Sequence, residues 1–201
     1  MLSNELKCTS GRIIVRPLKA SDFSSWSKAY LSMPKAKNKW DQQPKPASEL
    51  GRSAFRKYLK TQHENREKDS FYDFGIFLKA DQSYIGHASI MEVARGISQT
   101  AFLGYRIFNP YWGKGYAKEA VQLTLEMGFK ELKLHRIEAG IEPKNSRSIA
   151  LAKSLKMRYE GRKKRCLYLR KEWIDLLMYT LTCEDLNLRF AGTLVPRKSR
   201  H

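Results

Sequence analysis

The sequence predicts a single α/β domain: a central mixed, mostly antiparallel sheet with flanking helices. Three observations carry that expectation. Three strand-like runs follow one another with only short loops between them. The third leads through a glycine turn into a strand–helix–strand–helix succession. The length of 201 residues at 42% hydrophobic composition suffices for one sizeable core and is short for two.

Taken in order, "RIIVRPL" (Arg12 to Leu18) has a β-branched strand centre ended by proline, and "ASDFSSWSKAYL" follows with Ser21 or Asp22 able to cap a short helix. A second helix is expected from Ser48 to about Asn65, where Leu50, Phe55, Tyr58, Leu59 and Gln62 put mostly apolar side chains at spacings of three to five. "FYDFGIFLK" (Phe71 to Lys79), "YIGHASIMEV" (Tyr84 to Val93) and "TAFLGYRIF" (Thr100 to Phe108) read as strands. Their connections, "ADQS" and "ARGISQ", are short enough for hairpins, so the three form an antiparallel meander.

"NPYWGKGYAKEA" (Asn109 to Ala120) then runs from a glycine turn into a helix of about four turns, in which Val121, Leu125, Gly128 and Leu132 recur at helical spacing. Without side chains at Gly113 and Gly115, several backbone N–H groups at the positive end of the helix dipole can point outward together, which suits phosphate. A Walker A loop is excluded, because no GxxxxGK followed by Ser or Thr occurs. A dinucleotide fingerprint fails at Lys118, where glycine or alanine is needed. Alone, the GKG turn equally reads as a plain strand-to-helix joint. "LHRIEAGIEPKNSRS" adds to it: Ile137, Ala139 and Ile141 alternate with polar residues in a strand that stops at Pro143, and Asn145 caps a helix with Ile149, Ala152 and Leu155 on one face. In such a βαβα unit the two flanking strands are parallel and can splay in a V, leaving a cleft with both helix N-termini at one end. "RCLYLR" and "EWIDLLMYTLT", around Arg170 to Glu172, form a closing hairpin.

Thirty-eight Lys plus Arg against 20 Asp plus Glu give a net charge of +18, which favours RNA, ribosomes or a phosphate-rich cofactor without choosing among them. The basic runs "RKKR" (Arg162 to Arg165) and "RKSRH" (Arg197 to His201) read equally as a solvated strand end and a tail. No run of about 18 apolar residues exists, and "MLSNELKCTSGR" lacks the apolar stretch of a signal peptide, so a soluble cytoplasmic protein is expected. Cys8, Cys166 and Cys183 are widely spaced, suggesting neither a disulfide framework nor a metal site.

With these residues in place, the chain resembles the GNAT acyltransferase superfamily and, within it, the bacterial ribosomal-protein alanine N-acetyltransferases of the RimJ kind. The resemblance rests on "FYDFGIF", "VARGISQTAFLGY", "YWGKGYAKEA", "LHRIEAGIEPKNSRS" and "WIDLLMYTLT" in order, and it implies a GNAT domain over residues 12–186 between an N-terminal extension (1–11) and a basic C-terminal tail (187–201). It further implies acetyl-CoA as donor, held by Gly113, Lys114, Gly115, Tyr116 and Ala117 at the pyrophosphate. Ile107, Asn145 and Ser148 are implied along the pantetheine arm. The family's glycine loop usually begins with Gln or Arg where this chain has Trp112. Many relatives carry a tyrosine acid where this chain has Ala152, which leaves Ser148 as the candidate for hydrogen-bonding the leaving thiolate. The family's Gly-Phe before a Glu-Gly pair is Lys156 and Met157 here, and Leu167 stands where some relatives place a water-activating glutamate.

The chemistry implied is attack of a neutral amine on a thioester, with a backbone N–H near Ile107 as oxyanion donor. Glu92 and Glu138 are candidates for a water-mediated base, although a structural or solvated carboxylate is the more ordinary reading of each; His87 and His135 are similar lone residues. The implied acceptor is the N-terminal α-amino group, an alanine, of a ribosomal protein, and the basic surface suggests ribosome or RNA association. A small-molecule amine acceptor and a non-catalytic ribosome- or RNA-binding role on the same fold remain open from sequence.

Overall fold

The computed structural model describes residues 6–192. Two short strands, β1 (Cys8–Thr9) and β2 (Ile13–Arg16), precede the helices α1 (Phe23–Leu31) and α2 (Arg52–Glu67). The meander β3 (Phe71–Leu78), β4 (Tyr84–Ala94) and β5 (Thr100–Ile107) leads into helix α3 (Tyr116–Lys130). Strand β6 (Arg136–Ile141), helix α4 (Ser146–Ser154) and the hairpin of β7 (Arg158–Leu169) and β8 (Glu172–Thr182) follow. All eight strands form one sheet in the order β1-β2-β3-β4-β5-β6-β8-β7, antiparallel except between β5 and β6. This is the mixed, mostly antiparallel sheet with flanking helices that the sequence predicts.

Period-two alternation divides the strand side chains between two cores. Ile13 and Val15 of β2 enter the larger, which packs α3 and α4 against one face, while Ile14 turns to the smaller. The smaller is largely aromatic: Trp26 and Tyr30 of α1 and Phe55 of α2 meet Phe77, Tyr84 and Phe108, with Trp26 and Phe55 centroids 4.8 Å apart. Each such ring pair adds about 0.5–1.5 kcal/mol beyond area burial. Helix α3 lies close to the sheet because Gly128 has no side chain; a Cβ there would stand 2.5 Å from Ile137 Cδ1.

The parallel pair of strands is short. β5 and β6 are in register at Thr100–Arg136, Ala101–Ile137 and Phe102–Glu138 only. Beyond Phe102, β5 keeps β4 as a neighbour to Ile107, and β6 keeps β8 to Ile141. The strands therefore part in a V.

Several boundaries differ from expectation. Asp22 precedes α1 but does not cap it; its carboxylate accepts the Lys19 N–H at 2.7 Å and both terminal nitrogens of Arg16. Helix α2 starts at Arg52 because Ala47–Glu49 wind as a 3₁₀ turn and Gly51 is extended. Strand β7 begins at Arg158 rather than near Arg165, so "RKKR" lies inside it. Within the predicted extension, Cys8–Thr9 pair with β2 and Leu6 is buried in the larger core. Leu188 and Phe190 pack against that core, past the boundary expected at residue 186, and "RKSRH" falls outside the described residues. No helix among the described residues is long and apolar enough to cross a membrane.

Candidate active site

The gap between β5 and β6 opens into a cleft of about 910 Å³. One wall is the glycine turn. Gly113 and Gly115 adopt left-handed conformations, φ 76° and 83°, that residues with a Cβ reach only under strain. A Cβ at Gly115 would also stand 3.1 Å from the Arg12 guanidinium. Lys118 and Glu119 N–H groups both reach back to the Gly115 carbonyl, whereas those of Gly113 to Ala117 donate to no backbone carbonyl among the described residues. The turn thus offers a run of free N–H groups at the start of α3.

Trp112 ties this turn to the strand. Its Nε1 donates to the Ile107 carbonyl at 2.6 Å, and the Arg147 guanidinium lies 4.3 Å from the centre of its ring. Arg147, Lys37 and Lys118 bring positive charge to the cleft. The Phe108 N–H goes to Ile85 on the β4 side, so alternation turns the Ile107 N–H the other way, into the gap.

The opposite wall is the start of α4. Asn145 Oδ1 accepts the Ser148 N–H at 3.3 Å, capping the helix, and leaves its Nδ2 without a partner among the described residues. The Ser148 hydroxyl is hydrogen-bonded to the phenol of Tyr105 across the cleft. Burial pushes the Tyr105 phenol up, and the bond to Ser148 opposes this only in part. It therefore stays protonated at neutral pH and can donate. Sequence reasoning missed Tyr105; the signal was its position two residues before Ile107, on the same face of β5.

The mouth comes from the segment between α1 and α2, for which the sequence offered no periodicity. Lys37, Asn38 and Trp40 line it. Buried Asp41 fixes the segment by accepting from Asn109 Nδ2 (2.7 Å) and from the N–H groups of Lys37 (2.9 Å) and Gln42 (2.7 Å). At the end of β6, Glu142 accepts from Trp40 Nε1 (2.8 Å), Lys39 Nζ (2.6 Å) and the Arg170 guanidinium. Burial alone would push the Glu142 carboxyl up; these three donors more than offset it and hold it below the usual carboxylate range.

The cleft brings together Ile107, Gly113, Gly115, Tyr116, Ala117, Asn145 and Ser148. Lys114 contributes its backbone to the turn while its ammonium lies 5.7 Å from the Tyr111 ring centre. Glu92 and Glu138 do not line the cleft. Glu92 is exposed on a bulge of β4 at φ 52°, and Glu138 is held by Arg136 Nε at 2.6 Å. His87 and His135 are likewise elsewhere, the latter against Glu184 at 3.0 Å. No carboxylate or histidine is among the described residues lining the cleft.

A family model described as acetyltransferase (GNAT) domain matches residues 12–158. The chain belongs to the GNAT acetyltransferase family. It is similar to the probable N-acetyltransferase YjcK of Bacillus subtilis (strain 168), with 40% identity over 120 residues, 60% of this chain and 66% of that protein. The ribosomal protein uS5-alanine N-acetyltransferase of Escherichia coli (strain K12) is 32% identical over 123 residues, 61% of this chain and 63% of the other. The matched stretch is just under two thirds of either relative's length. The structure of Mycobacterium smegmatis RimJ in complex with CoA-disulfide superposes with a TM-score of 0.72 at 26% identity, covering 87% of this chain and 83% of that one.

The departures from the usual GNAT pattern have structural counterparts. Trp112 keeps the glycine turn docked on Ile107. Ala152, where many relatives carry a tyrosine, is buried, and Tyr105 brings a phenol to Ser148 from the facing strand. Lys156, in the place of the family's glycine, takes φ 59°, and Met157 N–H still closes onto the Ala152 carbonyl at 3.0 Å.

Proposed function

We propose that the chain is an acetyl-CoA-dependent N-acetyltransferase whose acceptor is the N-terminal α-amino group, an alanine, of a ribosomal protein. The observation that carries this reading is one cleft holding free N–H groups at a helix N-terminus, an inward-facing strand amide and a shared hydroxyl pair. The free N–H run of Gly113 to Ala117 fits a pyrophosphate, and the unpartnered Nδ2 of Asn145 fits an amide-bearing arm. The similarity to a uS5-alanine N-acetyltransferase supports the acceptor class.

Acetyl-CoA, when bound, supplies an acetyl thioester for an amine to attack. The chain's own groups do the rest. The N–H of Ile107 faces the gap, where it can take up charge developing on a carbonyl oxygen. The protonated Tyr105 phenol can donate to the Ser148 hydroxyl, which can in turn give its own proton to a departing thiolate. The cations Lys37, Lys118 and Arg147 surround the place where phosphates would lie. With no carboxylate or histidine among the described residues lining the cleft, the amine is best taken up already neutral. An α-amino group with a pKa of about 7.7–8.0 is roughly a tenth neutral at pH 7, against less than about 0.1% for a lysine near 10.4.

Purified protein incubated with acetyl-CoA and alanine-starting peptides, the same peptides N-terminally blocked with an internal lysine, a polyamine and intact small ribosomal subunits provides the test. Mass spectrometry is expected to find one acetyl group on free N-termini, at a rate rising about tenfold per pH unit up to about 7.7. Comparable turnover on internal lysines would defeat the reading. The net charge of +18 further suggests that the acceptor is met on the ribosome, where RNA phosphate attracts an enzyme that a basic ribosomal protein would repel.

A further inference from the structure

The outer part of the β7–β8 hairpin, residues 163–176, contributes to neither core, whereas Tyr179 and Leu181 nearer its base are buried in the larger one. β8 keeps β6 as a partner only from Leu177, opposite Ile141, so its first residues and the facing part of β7 overhang the end of β6 beside the mouth of the cleft. β7 is the edge strand and is exposed along almost its whole length. On one face Tyr168 and Trp173 stand directly opposite each other, 59% and 61% exposed, with ring centroids 5.4 Å apart. Alternation carries that face back along β8 through Asp175 and Leu177 to Tyr179, which packs under exposed Tyr159. Tyr179 itself is buried, so this stripe offers two exposed aromatic positions, the Tyr168–Trp173 pair and Tyr159, about 20 Å apart at 3.3 Å per residue.

Cations border this stripe, and not all are neutralised. Asp175 pairs with Arg162 and also feels the charge of Lys164, and Glu142 pairs with Arg170, whereas the side chains of Arg165 and Lys171 form no ion pair among the described residues. Arg170 and Lys171 form the two-residue turn itself, both left-handed at φ 54° and 65°, positions that Asn-Gly fills with less strain. Lys171 is thus displayed at the tip against backbone preference, while Arg170 reaches back to Glu142. A merely solvated edge does not need an exposed tryptophan and two exposed tyrosines, and a protein-docking face is ordinarily poor in lysine. Aromatic rings flanked by free cations match nucleic acid: bases stack on the rings while phosphates meet the lysines and arginine.

We infer that the β7–β8 hairpin binds single-stranded RNA, with Tyr168 and Trp173 stacking bases and Lys164, Arg165 and Lys171 meeting phosphates. The choice of RNA as the polyanion rests on the ribosomal acceptor proposed above. Binding itself needs no acetyl transfer, so the two readings fail separately.

The test is fluorescence anisotropy of a labelled 12-nucleotide oligouridine with the full chain, across salt concentrations. Trp173→Ala should weaken binding about tenfold and Trp173→Phe by less than about threefold. The triple substitution Lys164→Ala, Arg165→Ala, Lys171→Ala should lower the slope of log affinity against log salt by about 2. Thermal unfolding midpoints of the variants check that each has folded. Affinity unmoved by Trp173→Ala, or equal competition by heparin and oligouridine at matched charge, would reduce the surface to general electrostatics and overturn the inference. So would a dimer lost on Trp173→Ala together with no RNA binding, which would make the occupant a second copy of the chain.

Discussion

The two ends of the cleft are made of different material. The wall from Ile107 through Gly113 to Ala117 presents backbone, supplied by one short segment and a helix start. The mouth is side chains, held by contacts between residues far apart in sequence: Trp40 reaches Glu142 across 102 positions and Asn109 reaches Asp41 across 68. A backbone wall tolerates changes of side chain, as Trp112 shows, because its groups are common to every residue. The mouth has no such latitude. Its shape depends on a few carboxylates and their donors.

Six substitutions would break or sharpen that contrast. The largest effect is expected at Gly115→Val, which puts a β-branched residue at φ 83°: coenzyme A affinity, measured by calorimetric titration, should fall by at least about 100-fold. Lys114→Ala beside it should change the same affinity by less than about threefold, since only the backbone of Lys114 is in the wall. Tyr105→Phe should lower kcat by about 10- to 100-fold with coenzyme A affinity retained, and Ser148→Ala should do no worse. An equal loss of affinity in Tyr105→Phe would mean that the hydroxyl pair holds the wall together rather than handling a proton.

Glu142→Gln should act only at the mouth, raising the acceptor KM about tenfold while coenzyme A affinity stays unchanged. The carboxyl of Glu142 is held below its usual range, so its contribution is complete above the unfolded value of about 4.3 and is lost as pH falls through the lower folded value. The wild-type chain should therefore show an acid limb in its stability that Glu142→Gln lacks. The smallest effect is expected away from both ends: Lys156→Gly, at φ 59°, should raise stability by about 1 kcal/mol in urea unfolding and leave kinetics alone.

The same contrast governs what could be read from the sequence. The meander, the glycine turn and the Asn145 cap are local patterns, and each predicted strand or helix other than β7 was found within a few residues of its place. The strand boundaries held where alternation was strong and slipped at β7, whose almost wholly exposed residues give no inward face to count. Tyr105 stayed hidden because its role arises only when α4 comes to lie beside β5. Asp41 and Glu142 stayed hidden because a carboxylate collecting donors from distant segments has no spacing to recognise.

The early parting of β5 and β6 leaves the inner edge of β5, beyond Phe102, without a strand partner. An unpaired edge on the outside of a sheet is a hazard, since it invites another molecule to add a strand and aggregation to follow. Here the edge faces inward, and the walls of the cleft stand around it. A slender extended ligand can reach it, while the edge of a second folded protein cannot. The molecule thereby keeps an adhesive strand edge at its centre without exposing it to self-association.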